Sequence, residues 1–257
     1  MAKVRYERIG DVGEVVFCDP PLNLFGREVI ADLQTALVAA REDAPRAVLT
    51  RAEGSAFSGG ADVKIFQGHD LDSARALLHP FVHQLQEFAH WPVPKLAAVQ
   101  GLCLAAGFEI VLASDLIWAG EDAQLGLVEA LIGVTPFGGG TARLAARCGR
   151  GRAAEAVYGA RIYDAATLKD WGVVQRVLPA DELLDKARQQ AASLAAGPSR
   201  AHAATSAVLN AWAEGGLRAA DDALLHVGPP VLVTEDVKAG VASLLEKGPG
   251  HARFEGR

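Results

Sequence analysis

Apolar positions alternate at the start of the chain and then fall into helical periods. Val4 and Tyr6, followed by residues 12–17, predict two short strands around the turn at Gly10-Asp11. Pro20-Pro21-Leu22-Asn23 interrupts the pattern. Over residues 27–42 apolar side chains recur as Val29, Ile30, Leu33, Leu37 and Val38, the spacing of an amphipathic helix. Residues 46–50 form a short apolar run suited to a buried strand. A small-residue loop over 53–61 precedes a second long helix, about 72–89, which Pro92-Val93-Pro94 ends.

The same order then repeats. Residues 95–99 read as a buried strand, 105–113 as a helix and 116–119 as the next strand. Strand, turn, helix, strand in succession predicts an α/β fold with parallel pairing. After Gly138-Gly139-Gly140 the pattern is helical over 141–147, 152–158 and 165–171, with one last strand at 173–177. From residue 181 the chain reads as helix, broken at Gly197-Pro198. This divides it into an α/β core, 1–198, and a helical region, 199–257. The latter carries Leu209, Trp212, Leu217, Leu224 and Leu225, and so is expected to pack on something, such as another subunit.

Composition narrows the function classes. Half of the 257 residues are apolar and 22% are charged, enough for a sizeable core. A formal charge of −6 argues against a nucleic-acid surface as the main purpose. Cys18, Cys103 and Cys148 are too scattered for a disulfide framework or a zinc site. The seven histidines show no metal spacing, so no metal is expected. No apolar run reaches the roughly 18 residues of a membrane span, and the N-terminus lacks a signal-peptide pattern. A cytoplasmic protein is the simplest expectation.

Four segments carry candidate chemistry. In Ser58-Gly59-Gly60-Ala61-Asp62 two glycines allow a sharp turn, and the Ala61 amide is expected at the start of a short helix. Taken alone, this is also an ordinary turn with Asp62 as its cap. In Gly101-Leu102-Cys103-Leu104-Ala105-Ala106-Gly107-Phe108-Glu109 a strand runs through small residues into a helix, offering the Ala106 amide. Glu109 follows about one turn on, where it can equally serve the helix dipole. Glu129 sits among Leu127, Val128, Ala130 and Leu131, an apolar setting that favours a protonated acid if it is buried. Gly138-Gly139-Gly140-Thr141 lacks the lysine and spacing of a phosphate loop and reads as a tight turn before the helix carrying Arg143. Two inward amides and nearby carboxylates are what an enolate-forming reaction uses.

Together these segments resemble the crotonase superfamily, the enoyl-CoA hydratases and isomerases. The resemblance runs from Pro21-Leu22-Asn23 through 56–64, 101–115 and 126–144 to the closing Phe254-Glu255-Gly256-Arg257. It implies a spiral of repeated strand–strand–helix (ββα) turns with a C-terminal helical trimerisation region, giving a homotrimer or a dimer of trimers. It implies an acyl-CoA thioester substrate, with no separate cofactor because coenzyme A is part of that substrate. The oxyanion donors fall on the main-chain amides of Ala61 and Ala106. The two hydratase glutamates fall on Glu109 and Glu129. Gly60, Ala61, Asp62, Val63, Lys64, Gly107 and Phe137 fall along the CoA and acyl groups.

Some positions depart from the family pattern. Ala105-Ala106 replaces a glycine-rich run, Leu127-Val128 stands where Gln-Pro is common, and Phe137 replaces a glycine. The leading expectation is hydration of a trans-2-enoyl-CoA to a 3-hydroxyacyl-CoA. An isomerase, a decarboxylase or another enolate-forming enzyme is the first alternative. A non-catalytic acyl-CoA-binding member is the second.

Overall fold

The computed structural model describes residues 1–257. Its strands in chain order are β1 (Val4–Ile9), β2 (Val12–Phe17), β3 (Ala47–Ala52), β4 (Lys95–Val99), β5 (Leu102–Leu104), β6 (Leu116–Gly120), β7 (Gln124–Gly126), β8 (Tyr163–Asp164) and β9 (Arg176–Leu178). Six of them form one sheet in the order β1-β2-β3-β4-β6-β9, and β5-β7-β8 form a second. The first hairpin is antiparallel; β2 to β9 in the large sheet pair in parallel.

Nine helices complete the chain. They are α1 (Arg27–Asp43), α2 (Leu71–His90), α3 (Ala106–Leu112), α4 (Gly140–Cys148), α5 (Arg150–Gly159), α6 (Ala165–Asp170), α7 (Leu183–Ala195), α8 (Ser199–Leu232) and α9 (Glu235–Lys247). The connectivity is a spiral. Each turn places one strand in the large sheet, crosses to the small sheet, and returns through a helix: β4, β5, α3 is followed by β6, β7 and α4. The turn before them runs from β3 through a single bridge at Ser58, paired with Cys103, to α2.

Both faces of the large sheet are covered, which explains why its strands read as continuous apolar runs. Ala97 and Val99 point to one side, among Val15, Val48, Leu33 and Leu85. Leu96 and Ala98 point to the other, where α7 lays Leu183, Ala187, Ala191 and Ala195 at four-residue spacing. Glu14 on β2 is buried there, and its carboxylate accepts from Arg51 Nε at 2.5 Å and Arg188 Nε at 2.7 Å. That pair of charge-assisted bonds fastens α7 to the sheet.

The C-terminal region begins with α8, which kinks at Gly216 (φ 70°) and buries only Ala220. Leu209, Trp212, Leu217, Leu224 and Leu225 are exposed along it. Arg46 ties the region back to the core, donating to Ser199 Oγ at 2.9 Å and to the carbonyls of Gly197 and Phe254 at 2.7 and 3.2 Å. No helix is long and apolar enough to cross a membrane.

The α/β reading and the positions of α1, α2, β4 and α3 agree with the periodicity. The differences are local. The last strand is β9 at Arg176–Leu178, not 173–177, because Val173 and Val174 are packed in the core just before it. The three short strands of the second sheet were not expected from the pattern. Ala61 does not open a helix: it sits in an extended bridge to Phe25, and the 3-10 turn Val63–Phe66 starts two residues later, capped by the Asp62 side chain.

The spiral turns touch through glycine. A Cβ at Gly107 would lie 2.4 Å from Cβ of the buried Ser58, whereas one at Gly151 on α5 meets nothing within 4 Å. Gly107→Ala is therefore expected to cost about 3 kcal/mol of unfolding free energy by overpacking. Gly151→Ala should be neutral or stabilising by about 0.5–1 kcal/mol. Urea unfolding of the two variants checks this; equal midpoints would contradict the contact.

Candidate active site

Register positions the site. Ser58 N–H donates to Leu102 O, and Leu104 N–H donates to Ser58 O, each at 2.9 Å, so Ser58 stands opposite Cys103 in parallel pairing. Cys103 in turn pairs with Leu125 across β5 and β7. Three residues after Ser58 comes Ala61; three after Cys103 comes Ala106. Equal offsets from a parallel bridge bring the two alanines to the same cavity wall.

Their amides are the ones left over. Around the first turn Gly59 N–H goes to Leu22 O, Gly60 N–H to Ser58 Oγ and Asp62 N–H to Phe25 O. Ala61 N–H has no acceptor in the chain. In the second turn Ala105 N–H goes to Gly126 O, while Ala106 begins α3 and its amide has no intrahelical partner. Ala105 reaches this geometry with φ 46° and ψ −122°, a conformation that costs an alanine about 1–3 kcal/mol. Gly60 allows the approach, since a Cβ there would meet Ala105 Cβ at 2.9 Å.

Ala61 and Ala106 line a cavity of about 170 Å³ together with Val63, Glu109, Glu129 and Phe137. Sixteen of its 20 lining residues are hydrophobic, and no Lys, Arg or His is among them. Leu77 and Leu78 of α2 close one side, and the Phe66 and Phe137 rings, 6.3 Å apart, pack together at the wall. Gly60, Asp62, Lys64 and Gly107 do not line this cavity. Asp62 caps the 3-10 turn by accepting from Lys64 N–H at 3.1 Å, Lys64 is exposed, and Gly107 packs on Ser58.

The two carboxylates have unlike surroundings. Glu109 on α3 is 2% exposed, and its Oε1 accepts from Gly140 N–H at 2.9 Å. Burial pushes its pKa up, while the amides of Gly140 and Gly138 and the charge of Arg143 pull it down; the net is upward. Cβ atoms at Gly138 or Gly140 would meet this side chain at 3.0 or 2.9 Å, so the glycine run is a cradle cut to fit a carboxylate. Nothing in its spacing announced that role. Glu129 opens the 3-10 turn Glu129–Ile132, and neither of its oxygens has a hydrogen-bond partner. Burial, with Glu109 adding to it, raises its pKa from 4.5 to about 7.

Two paired functions follow from this layout. Unpaired amides facing one cavity can stabilise an oxyanion. Two carboxylates whose environments separate their proton affinities can act as base and acid.

The chain as a whole is similar to known proteins. The family model described as enoyl-CoA hydratase/isomerase matches residues 7–257. A probable enoyl-CoA hydratase of Mycobacterium bovis is 32% identical over 248 residues, covering 94% of each chain. The mitochondrial methylglutaconyl-CoA hydratase of Mus musculus is 33% identical over 184 residues, 67% of this chain and 56% of that protein. The crystal structure of an enoyl-CoA hydratase from Bacillus anthracis superposes with a TM-score of 0.91 at 26% identity, covering 99% of this chain and 100% of that one.

Glu129 makes stability depend on pH. The folded state holds its proton up to about pH 7 and the unfolded chain releases it near 4.5, so stability falls as pH rises between those values. Glu129→Gln removes the cost of charging a buried acid. The variant is expected to exceed the wild type in stability at pH 8, with the gap closing toward pH 5. Parallel stability curves across that window would rule the buried acid out.

Proposed function

The chain belongs to the enoyl-CoA hydratase/isomerase family, and from that premise we propose that it is an enoyl-CoA hydratase, adding water across the double bond of a trans-2-enoyl-CoA. The observation carrying this reading is the meeting of two unlike carboxylates and two unpaired amides in one apolar cavity. A reaction that moves two protons, one from water and one to Cα, has use for both acids.

In the proposed mechanism the thioester oxygen accepts from Ala61 and Ala106 N–H. Water adds at Cβ and gives a proton to Glu109, which is held by the glycine turn. The electron pair of the double bond passes to the thioester as an enolate, which the amides stabilise. The carbonyl re-forms as Glu129 gives its proton to Cα. Exchange with solvent then returns both acids to their starting states. Lys64 is assigned to the phosphates of coenzyme A, since it is exposed beside the cavity and free of an acidic partner. The exposed apolar side chains of α8 support a homotrimer or dimer of trimers. A cytoplasmic site of action is part of the same proposal.

The cavity wall also bears on the acyl group. The mouse relative is named for a carboxylate-bearing acyl thioester. Here no cation lines the wall to meet such a charge, and burying it unpaired is costly. An uncharged acyl group is the better fit.

The assay is loss of enoyl absorbance with crotonyl-CoA. The wild type is expected to hydrate it, and Glu109→Gln and Glu129→Gln to lower kcat by about 10²–10⁴ with acyl-CoA binding kept. Turnover of a 3-enoyl-CoA without hydration would make the protein an isomerase. Binding without any turnover would make it a carrier. On crotonyl-CoA, kcat/KM should exceed that on 3-methylglutaconyl-CoA by at least about tenfold, a difference of ~1.4 kcal/mol; the reverse order would refute the apolar-wall argument.

A further inference from the structure

Arg143 stands behind the catalytic acids and is not part of the cavity wall. It lies on the first turn of α4, half-buried, and reaches back over its own N-terminus. Its Nη1 donates to Gly138 O and its Nη2 to Leu85 O at 3.4 Å. A Cβ on Gly139 would meet Nη1 at 2.6 Å, so the Nη1 end of the guanidinium lies against the glycine turn. That turn is the one whose Gly140 amide holds Glu109. No carboxylate lies within ion-pair distance of Arg143, so its charge is not cancelled locally. The acid acting on it through space is Glu109.

Two carboxylates in one dry cavity compete for the same proton state. Unless something separates them, burial favours protonation of both. Addition of water needs one of them ionised. The charged groups around Glu109 are few. Glu129 faces it from the 3-10 turn and Arg143 from α4. From α2 the turn meets Phe81 and Leu85, which carry no charge. Arg147, one turn further along α4, faces Arg143 and is bonded to the carbonyls of Leu112 and Ser114. Arg143 is thus the cation that distinguishes the surroundings of one glutamate from the other.

We propose that Arg143 is a positioning residue for the reaction, holding the Gly138–Gly140 turn closed and making Glu109 give up its proton more readily than it would without that charge, whereas Glu129 has no such cation beside it. The proposal rests on the hydratase reading for its catalytic meaning, but the proton states themselves are measurable without turnover. Two jobs are combined in one side chain. The hydrogen bonds shape the turn; the charge sets the acid.

Substitution separates them. Arg143→Gln keeps a donor for the Gly138 carbonyl and removes the charge. Arg143→Lys keeps the charge with a poorer fit. Carbon-13 NMR of glutamate-labelled protein, with Glu109→Gln to identify the resonance, follows the Glu109 carboxyl directly. The midpoint is expected to rise by about one pH unit in Arg143→Gln, a tenfold change in proton affinity, and by much less in Arg143→Lys. The rising limb of kcat/KM against pH should shift with it, while KM stays within about twofold. A purely structural arginine would lower activity at every pH and leave the Glu109 midpoint in place, and that result would overturn the proposal. So would equal midpoint shifts in the two variants. Glu109 titrating as proposed in a protein that hydrates no enoyl-CoA would instead refute the hydratase reading and leave the electrostatic role standing.

Discussion

A single parallel bridge, Ser58 opposite Cys103, aligns the chemistry of this protein. Two main-chain hydrogen bonds of 2.9 Å set it. Because both turns then advance by three residues, the amides of Ala61 and Ala106 arrive on one wall. A slip of one residue would exchange inward for outward groups at both sites and lose the pair together. Side chains enforce the register from both directions. The buried Ser58 hydroxyl donates to Asn23 O at 2.8 Å and accepts from Gly60 N–H at 3.0 Å. This occupies the Gly60 amide and leaves the next one free. Missing Cβ atoms at Gly60 and Gly107 let the neighbouring spiral turns close around that knot.

The carboxylates show the same economy of position. Glu109 and Glu129 share a cavity, yet one is seated on main-chain amides with an arginine behind it and the other has no partner. Leaving a buried acid unsatisfied destabilises the fold. Ala105, held at positive φ, adds strain on the same wall. The Ala105 strain sits directly before α3, whose residues Ala106–Leu112 are all buried. Penalties concentrated at a site and offset by packing elsewhere are the usual price of a pre-organised centre.

Much of this was legible in the sequence. The helical spacing of Val29, Leu33 and Leu37 and the buried run of β4 specify elements that many side chains agree on. The second sheet was hidden because β5, β7 and β8 have three, three and two residues, too few for a period to emerge. Glu129 stood out as an acid among apolar neighbours and Glu109 as an acid one turn into a helix that follows a buried strand. Their difference did not stand out. It comes from Gly140, 31 residues beyond Glu109, and from Arg143 folding back over a turn. Such partners are long-range and main-chain in character, so composition and spacing carry no trace of them. The role of Gly107 was likewise masked: it lies between Ala106 and Glu109 in sequence, but its open face belongs to Ser58.

The central claim is that the bridge register aims two amides at one oxygen. A crystal structure with a bound 3-hydroxyacyl-CoA tests it most directly. The thioester oxygen is predicted to lie about 2.7–3.1 Å from both Ala61 N and Ala106 N, with the acyl carbons between the two glutamates. A thioester oxygen bonded to neither amide, with the acyl group outside the cavity, would contradict the account.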